Sequence, residues 1–432
     1  MKHIHTYDQA LAWIDAQKSL VSRTSLDKIY YALEYLGNPH LSLTTIHIGG
    51  TNGKGSTTTY LKEMLKSHGL VVGTFTSPHI RRFNERIGYD GRDISDQELI
   101  DLVNHMIPVN DYMEKSPYSR LTFFELYTVM MFTYFSWVKP DVCLIEVGIG
   151  GTFDCTNVIK SPYVAISSIG LDHTDKLGNT LVEIADQKAG IIYPGAQVFT
   201  GPLAIEALAV IANKCQSEGA TLHQFEPGQS LETSLEKGTS FVWRDQAYHI
   251  HMLGDHQVAN ASLALGLFNQ WMLDHDRSVD YSMVQAALRE SHWPGRMEKI
   301  QTNPLIFLDG AHNLQGLMTL GQSINTYFKG YGIHLIYAGL SSKNQSAHIA
   351  YLMSLPLTKI TFCQFDHSQS MALDEFKYLV QEDKAHPDMQ VDFAEDWEPI
   401  LNSNSDQQVT IVTGSLYFVS QVRNHLLLVQ SS

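Results

Sequence analysis

The residues best suited to chemistry are Gly49-Gly50-Thr51-Asn52-Gly53-Lys54-Gly55-Ser56-Thr57, a glycine-rich stretch carrying one lysine after the apolar run Thr45-Ile46-His47-Ile48. Glycines let backbone N–H groups turn toward an anion, a following helix aims its positive N-terminus at it, and the lysine adds a full charge. The stretch therefore reads as a phosphate cradle rather than a glycine-rich surface turn. It is a variant, because the usual loop has Ser or Thr directly after the lysine, whereas here Gly55 precedes Ser56. A second candidate is Glu146, which closes the apolar run 141–146. An acidic side chain at the carboxyl end of such a strand, opposite a phosphate loop, suits a Mg²⁺ that bridges nucleotide oxygens; capping of a helix is the alternative. Arg81, Arg82 and Arg86 fall within six positions of an acidic chain and form an expected anion-binding patch for substrate, with a solvated basic face as the alternative.

These groups need elements to hold them. Tyr60, Leu61, Met64 and Leu65 share one face after the glycine turn, opposite Lys62, Glu63 and Lys66, so a helix follows the loop and stops at Gly69. Helices are expected over 7–16, 25–36, 96–109, 122–137, 180–189, 204–214 and 258–271, and strands over 45–49, 71–76, 141–146, 163–169 and 197–200. The helix over 122–137 is mostly apolar and encloses Glu125, a carboxylate that needs a partner. Lys188, near the end of its helix, complements a helix C-terminus in the ordinary case. His173 follows the strand over 163–169, and a lone histidine there is ordinarily a hydrogen-bonding group. Residues 241–243 and 248–251 flank Arg244-Asp245-Gln246 as a hairpin, after a polar stretch over 226–239. Proline and glycine at 294–295 mark a boundary, beyond which strands at 305–308, 333–337, 359–362 and 409–412 restart the alternation. The fold class is thus α/β: a larger domain over 1–293 with a mostly parallel sheet and the phosphate loop, a linker over 294–298, and a smaller α/β domain over 299–432.

Composition narrows the function. A chain of 432 residues exceeds the size of one core, and 44% hydrophobic residues are enough for two. A net charge of -15 argues against a nucleic-acid or anionic-membrane surface, so an anionic substrate must be met locally. Four widely spaced cysteines suggest neither disulfides nor zinc, which fits the cytoplasm. No apolar run is long enough to span a bilayer.

Gly50-Thr51-Asn52-Gly53-Lys54-Gly55-Ser56 resembles the ATP-binding loop of the Mur ligase superfamily, and within it of the folylpolyglutamate synthase and dihydrofolate synthase family. Thr76-Ser77-Pro78-His79, Ile145-Glu146-Val147-Gly148-Ile149-Gly150-Gly151, Leu171-Asp172-His173-Thr174-Asp175, Trp293-Pro294-Gly295-Arg296-Met297-Glu298, Asp309-Gly310-Ala311-His312-Asn313 and Thr413-Gly414-Ser415 extend the likeness nearly end to end. The resemblance implies the Mur ligase central-domain fold and ATP held by Thr51, Asn52, Gly53, Lys54, Gly55, Ser56, Asn260, Arg296 and Asp309. It implies Mg²⁺ held by Ser77, Glu146 and His173, and catalytic roles for Lys54, for Lys188 as a carbamylated lysine, and for His312. It further implies that L-glutamate is joined to a folate, or to dihydropteroate, through an acyl phosphate; the protein is expected to be a monomer. A dihydrofolate synthase alone, or a nucleotide-binding paralogue altered in catalysis, is the alternative. A muramyl-peptide ligase would need a larger domain before the loop. Ser342-Lys343-Asn344 stands where relatives often carry Asp-Lys-Asp, and no arginine lies near Gln369-Ser370-Met371-Ala372, which puts acceptor or amine choice in question.

Overall fold

The computed structural model describes residues 3–17, 24–341, 344–382, 389–401 and 408–431. Two compact units result, residues 1–228 with 259–290 and residues 229–258 with 291–432. The second break follows Glu290, close to the expected boundary. The segment 229–258 departs from expectation, since it groups with the second unit.

The first unit is built on eight strands: β1 (Thr45–Gly49), β2 (Val72–Phe75), β3 (Ile87–Tyr89), β4 (Arg92–Asp93), β5 (Val142–Glu146), β6 (Tyr163–Ile166), β7 (Gln197–Thr200) and β8 (Thr221–His223). Their order is β4-β3-β2-β5-β1-β6-β7-β8, with β3 and β4 antiparallel and the rest parallel. Every residue of β1, β5 and β6 is buried, as a strand covered on both faces requires. Because β2, β5, β1 and β6 are neighbours, the residues after each of them share one carboxyl edge. That edge is where open sheets of this kind present ligand groups.

Covering helices explain themselves locally. Phe123–Val138 buries eleven consecutive residues from Glu125 to Phe135 among aromatic and methionine side chains, each large apolar one contributing about 1.5–3 kcal/mol. Its buried Glu125 finds the required partners in Lys28 Nζ at 2.9 Å and the Thr122 N–H at 2.8 Å. Asp96–Glu114 starts at a Ser95/Glu98 capping box and runs through Pro108, past the expected end at 109. The extra turn persists because Val109, Asn110 and Met113 on it are buried.

The second unit holds two sheets. Strands β9 (Gln229–Ser234), β10 (Gly238–Trp243) and β11 (Gln246–Ile250) form an antiparallel set, and Arg244 and Asp245 turn between β10 and β11 at φ 45° and 61°. The expected hairpin is present, and β9 lies inside the stretch read only as polar. The larger sheet contains β12 (Glu298–Thr302), β13 (Leu305–Leu308), β14 (Gly332–Tyr337), β15 (Lys359–Cys363), β16 (Gln390–Ala394) and β17 (Gln408–Thr413) in the order β12-β13-β17-β14-β15-β16. Only β12 is antiparallel to its neighbour. Among the described residues no helix is long and apolar enough to cross a membrane.

Candidate functional site

The loop after β1 bends where only glycine fits. Gly50 has φ 143°, and a Cβ there would stand 2.0 Å from Ser167 Oγ; Gly53 has φ 87°, and a Cβ would stand 2.3 Å from Asn260 Oδ1. Asn260 is thereby placed against the loop, on helix Asp255–Asp274. The loop is also strapped to the residues after β6. Ser168 O accepts from Thr51 N at 2.8 Å, Ser168 Oγ accepts from Asn52 N at 2.9 Å, and Ser167 Oγ donates to Asn52 O at 2.7 Å. Thr51 Oγ1 donates to Gly170 O and accepts from Gly170 N. Ser167 and Ser168 were not among the candidates, although paired serines closing an apolar strand at a ligand edge are a readable signal.

Two ammonium groups converge inside this cradle. Lys54 Nζ donates to Gly50 O at 3.1 Å and Thr51 O at 3.2 Å and lies 3.8 Å from Glu146 Oε1, while Lys188 Nζ donates to the same Gly50 O at 3.0 Å. Burial and, after it, the Lys54 charge lower the Lys188 pKa to about 7, against the opposing effect of Asp172 and Asp154. Lys188 is therefore a buried amine near its neutral point, unlike the exposed helix-end lysine of the ordinary case.

Whether Mg²⁺ and a nucleotide suit these residues can be judged from the donors. The loop turns through Gly50 and Gly53 at positive φ, which lets successive backbone N–H groups face an anion, and Glu146 is a buried carboxylate at the end of β5. Ser77 follows β2 and His173 follows β6, so the sheet order brings the three to one edge. Among the described residues no three His, Cys, Asp or Glu side chains form a ligating group. A Mg²⁺ that keeps waters and shares phosphate oxygens needs only one or two carboxylates, so Glu146 with the Ser77 hydroxyl suits it. His173, at φ 49° ahead of helix Thr174–Leu177, is the member whose nitrogen suits Mg²⁺ least.

The three arginines do not form one patch. Arg81 pairs with Glu85 at 3.1 Å and Asp93 at 3.0 Å, and Arg82 pairs with Asp96 and covers the Tyr7 ring. Both charges are met within the chain, as on a solvated face. Arg86 is buried instead, donating to His79 Nδ1 at 2.9 Å and to the Tyr127 hydroxyl at 3.0 Å. Burial pushes the Tyr127 phenol up to about 12, with the Arg86 charge acting in the opposite direction. Arg86 thus serves the packing and hydrogen bonding of the first unit.

In the second unit the candidates gather after β13. Asp309 accepts from Met297 N and Ala311 N, both at 3.0 Å, and burial raises its pKa although Arg296 opposes the shift. A Cβ on Gly310 would come within 2.9 Å of Arg296 Nη1, so the glycine leaves room for the guanidinium. His312 Nδ1 donates to Gly310 O at 2.8 Å, which leaves the lone pair of the neutral ring on Nε2. Glu298 and Arg423, a pair not anticipated, meet at 3.0 Å in a buried bidentate contact, and Glu298 accepts from Gly295 N at 2.8 Å. Burial alone would raise the Glu298 pKa, but His292 and Arg423 hold it down to about 2. Ser342 and Lys343 lie outside the described residues; Asn344 caps helix Gln345–Met353, and Met371 is buried in the core of the second unit.

Comparison with known proteins agrees with this layout. The family described as Mur ligase middle domain matches residues 48–268. A Bacillus subtilis protein named dihydrofolate synthase/folylpolyglutamate synthase is 33% identical over 97% of this chain and 99% of its own length. The folylpolyglutamate synthase of Lacticaseibacillus casei is 33% identical over 98% of this chain and 99% of its own. Among solved structures, Mycobacterium tuberculosis folylpolyglutamate synthase complexed with ADP and AMPPCP superposes with a TM-score of 0.86 at 25% identity, covering 97% of this chain and 99% of that one. With its phosphate loop, its two α/β units and this likeness over nearly its whole length, the chain belongs to the folylpolyglutamate synthase and dihydrofolate synthase family of Mur ligases.

Proposed function

We propose that the protein is an ATP-dependent ligase that joins the amine of L-glutamate to a folate carboxylate, and to the carboxylate of dihydropteroate. The observation that carries this reading is the convergence of Lys54 and Lys188 on the Gly50 carbonyl beside Glu146. A carboxylate does not react with an amine at neutral pH until its oxygen becomes a leaving group; ATP, bound with Mg²⁺, supplies the phosphoryl group that does this. The chain's own residues hold and neutralise. Lys54 brings full positive charge to the loop, and the N–H groups at the start of helix Lys54–Ser67 add the dipole. Glu146 and Ser77 are the ligands best suited to Mg²⁺, with His173 as the third candidate. The near-neutral amine of Lys188 is a competent nucleophile toward CO₂, which supports the carbamylation that the resemblance implies. Arg296 and Asp309 fit a nucleotide role, and His312, with its Nε2 lone pair, fits a proton acceptor for the amine. Arg81 and Arg82 are weak substrate candidates because their charges are already met.

The two named activities use the same phosphate chemistry and differ in where the acceptor places its carboxylate. The Bacillus relative carries both names. All four cysteines are free and buried, which supports a cytoplasmic setting, and a monomer completes the reading. The test is phosphate release from ATP with tetrahydrofolate or dihydropteroate, with and without glutamate. Release that requires both partners is expected. Release that is indifferent to glutamate, or a phosphorylated product, would reject the ligase.

A further inference from the structure

His47 lies on β1 two residues before Gly49, fully buried, and neither charge nor phosphate contact accounts for it. Its Nε2 is 2.8 Å from Thr156 Oγ1, and Thr156 Oγ1 is 2.5 Å from Asp154 Oδ1. A carboxylate only accepts, so the Thr156 hydroxyl donates its proton to Asp154 and must accept from His47. The ring is therefore the Nε2–H tautomer, and its bare Nδ1 meets no hydrogen-bond partner among the described residues. Burial depresses its pKa to about 3, so the ring is neutral. Asp154 is buried as well and spends its remaining capacity on Thr156 N at 3.0 Å, Gly148 N at 3.1 Å and Ile149 N at 3.0 Å. The Gly148 and Ile149 amides lie in the loop that leaves Glu146. A hydrogen-bonded path thus runs from the strand that carries the phosphate loop to the loop that follows the candidate metal ligand, alongside the β1–β5 register that pairs Ile48 with Glu146.

The geometry points to His47 as a positioning residue for the ligase reaction: through Thr156 and Asp154 it fixes the Glu146 loop against the phosphate-loop strand. An apolar side chain of similar size would fill the same space without holding the hydroxyl. Buried groups of this kind that orient ligands usually alter metal affinity or activity by about ten- to a hundredfold when removed. The kinetic part of the test rests on the ligase reading, whereas the tautomer does not.

The full chain with ¹⁵N-labelled histidine, compared with His47→Gln to assign the signal, reports the His47 tautomer directly. Nε2–H is expected; Nδ1–H would overturn the path even if the ligase reading stands. His47→Leu should raise the Mg²⁺ concentration needed for half-maximal turnover by about tenfold or more, with the glutamate KM unchanged. His47→Gln, whose amide N–H can stand in for Nε2–H, should restore the parental requirement. Thr156→Val should behave as His47→Leu does and decides the matter if His47→Leu does not fold. A parental Mg²⁺ requirement in His47→Leu or Thr156→Val, or an equal fall in His47→Gln and His47→Leu, would show that the ring only fills space.

Discussion

The carboxyl edges of the two parallel sheets are built on opposite electrostatic plans. In the first unit a backbone carbonyl, Gly50 O, collects two lysine side chains, and the hydroxyls of Ser167, Ser168 and Thr51 tie the glycine loop to the strand beside it. In the second unit buried carboxylates collect backbone N–H groups, Asp309 from Met297 and Ala311 and Glu298 from Gly295, and Arg296 lies beside Gly310. The first edge keeps its positive charge for a polyanion. The second spends its negative charge on backbone N–H groups and on two guanidiniums, Arg423 at Glu298 and Arg296 near Asp309. A net charge of -15 makes the first arrangement the more telling, because cations concentrated at one loop stand against the sign of the whole chain.

The comparison can be broken most sharply at Lys54. Lys54→Ala should lower turnover by roughly a hundredfold or more, the cost of losing a charge contact in the transition state, while thermal unfolding stays near the parent's. Parental turnover in this variant would remove the lysine from the site. Next comes Glu146→Gln, which should abolish Mg²⁺-dependent ATP turnover or raise the Mg²⁺ concentration it needs by at least tenfold; an unchanged magnesium titration would make the carboxylate structural. In the second unit Asp309→Asn keeps the shape but removes the charge beside Arg296, and it should weaken ADP binding by about tenfold, as loss of a charge-assisted contact does. Calorimetry with ADP measures this, and parental affinity would separate Asp309 from the nucleotide.

A pH experiment sharpens the contrast further. The Lys188 amine titrates near 7 in the folded chain and near 10.5 unfolded, so between those values the unfolded chain binds a proton that the folded one does not, and stability rises with pH. In CO₂-free buffer Lys188→Met should therefore be more stable than the parent at pH 6.5, with the difference shrinking toward pH 10. A difference in unfolding temperature that stays constant over that range would show that Lys188 is charged in the folded protein. The smallest effect is expected from Arg81→Ala, an exposed pair member whose loss should change folate KM by less than about threefold; a larger rise would restore the arginine patch.

The sequence made the first edge legible because its elements are covered on both faces. Strands β1, β5 and β7 are apolar runs bounded by turn residues, and the glycine–lysine turn can be recognised before any coordinate is known. Strands β9, β12 and β16 escaped because each lies at the edge of its sheet with little burial, so its residues carry no apolar run to read. The grouping of 229–258 with the second unit is a long-range fact of packing that no local pattern encodes. In the site, Lys54 and Glu146 could be read because their roles follow from position at a strand end. The arginines misled because spacing along the chain reports proximity but not direction: Arg81 and Arg82 turn to carboxylates, whereas Arg86 turns inward to His79 and Tyr127. The Ser167–Ser168 pair could be read locally at its strand end but not its partner 116 residues away, and the Glu298–Arg423 pair joins residues 125 apart with no local sign of either.

The measurement that tests the account most directly follows an oxygen atom. Folate labelled with ¹⁸O in the reacting carboxylate is incubated with the protein, ATP, Mg²⁺ and L-glutamate, and the released phosphate is analysed by mass. Activation of the carboxylate by phosphoryl transfer at the first edge predicts one ¹⁸O in each phosphate released with amide formation. Phosphate free of label, with amide still formed, would contradict it.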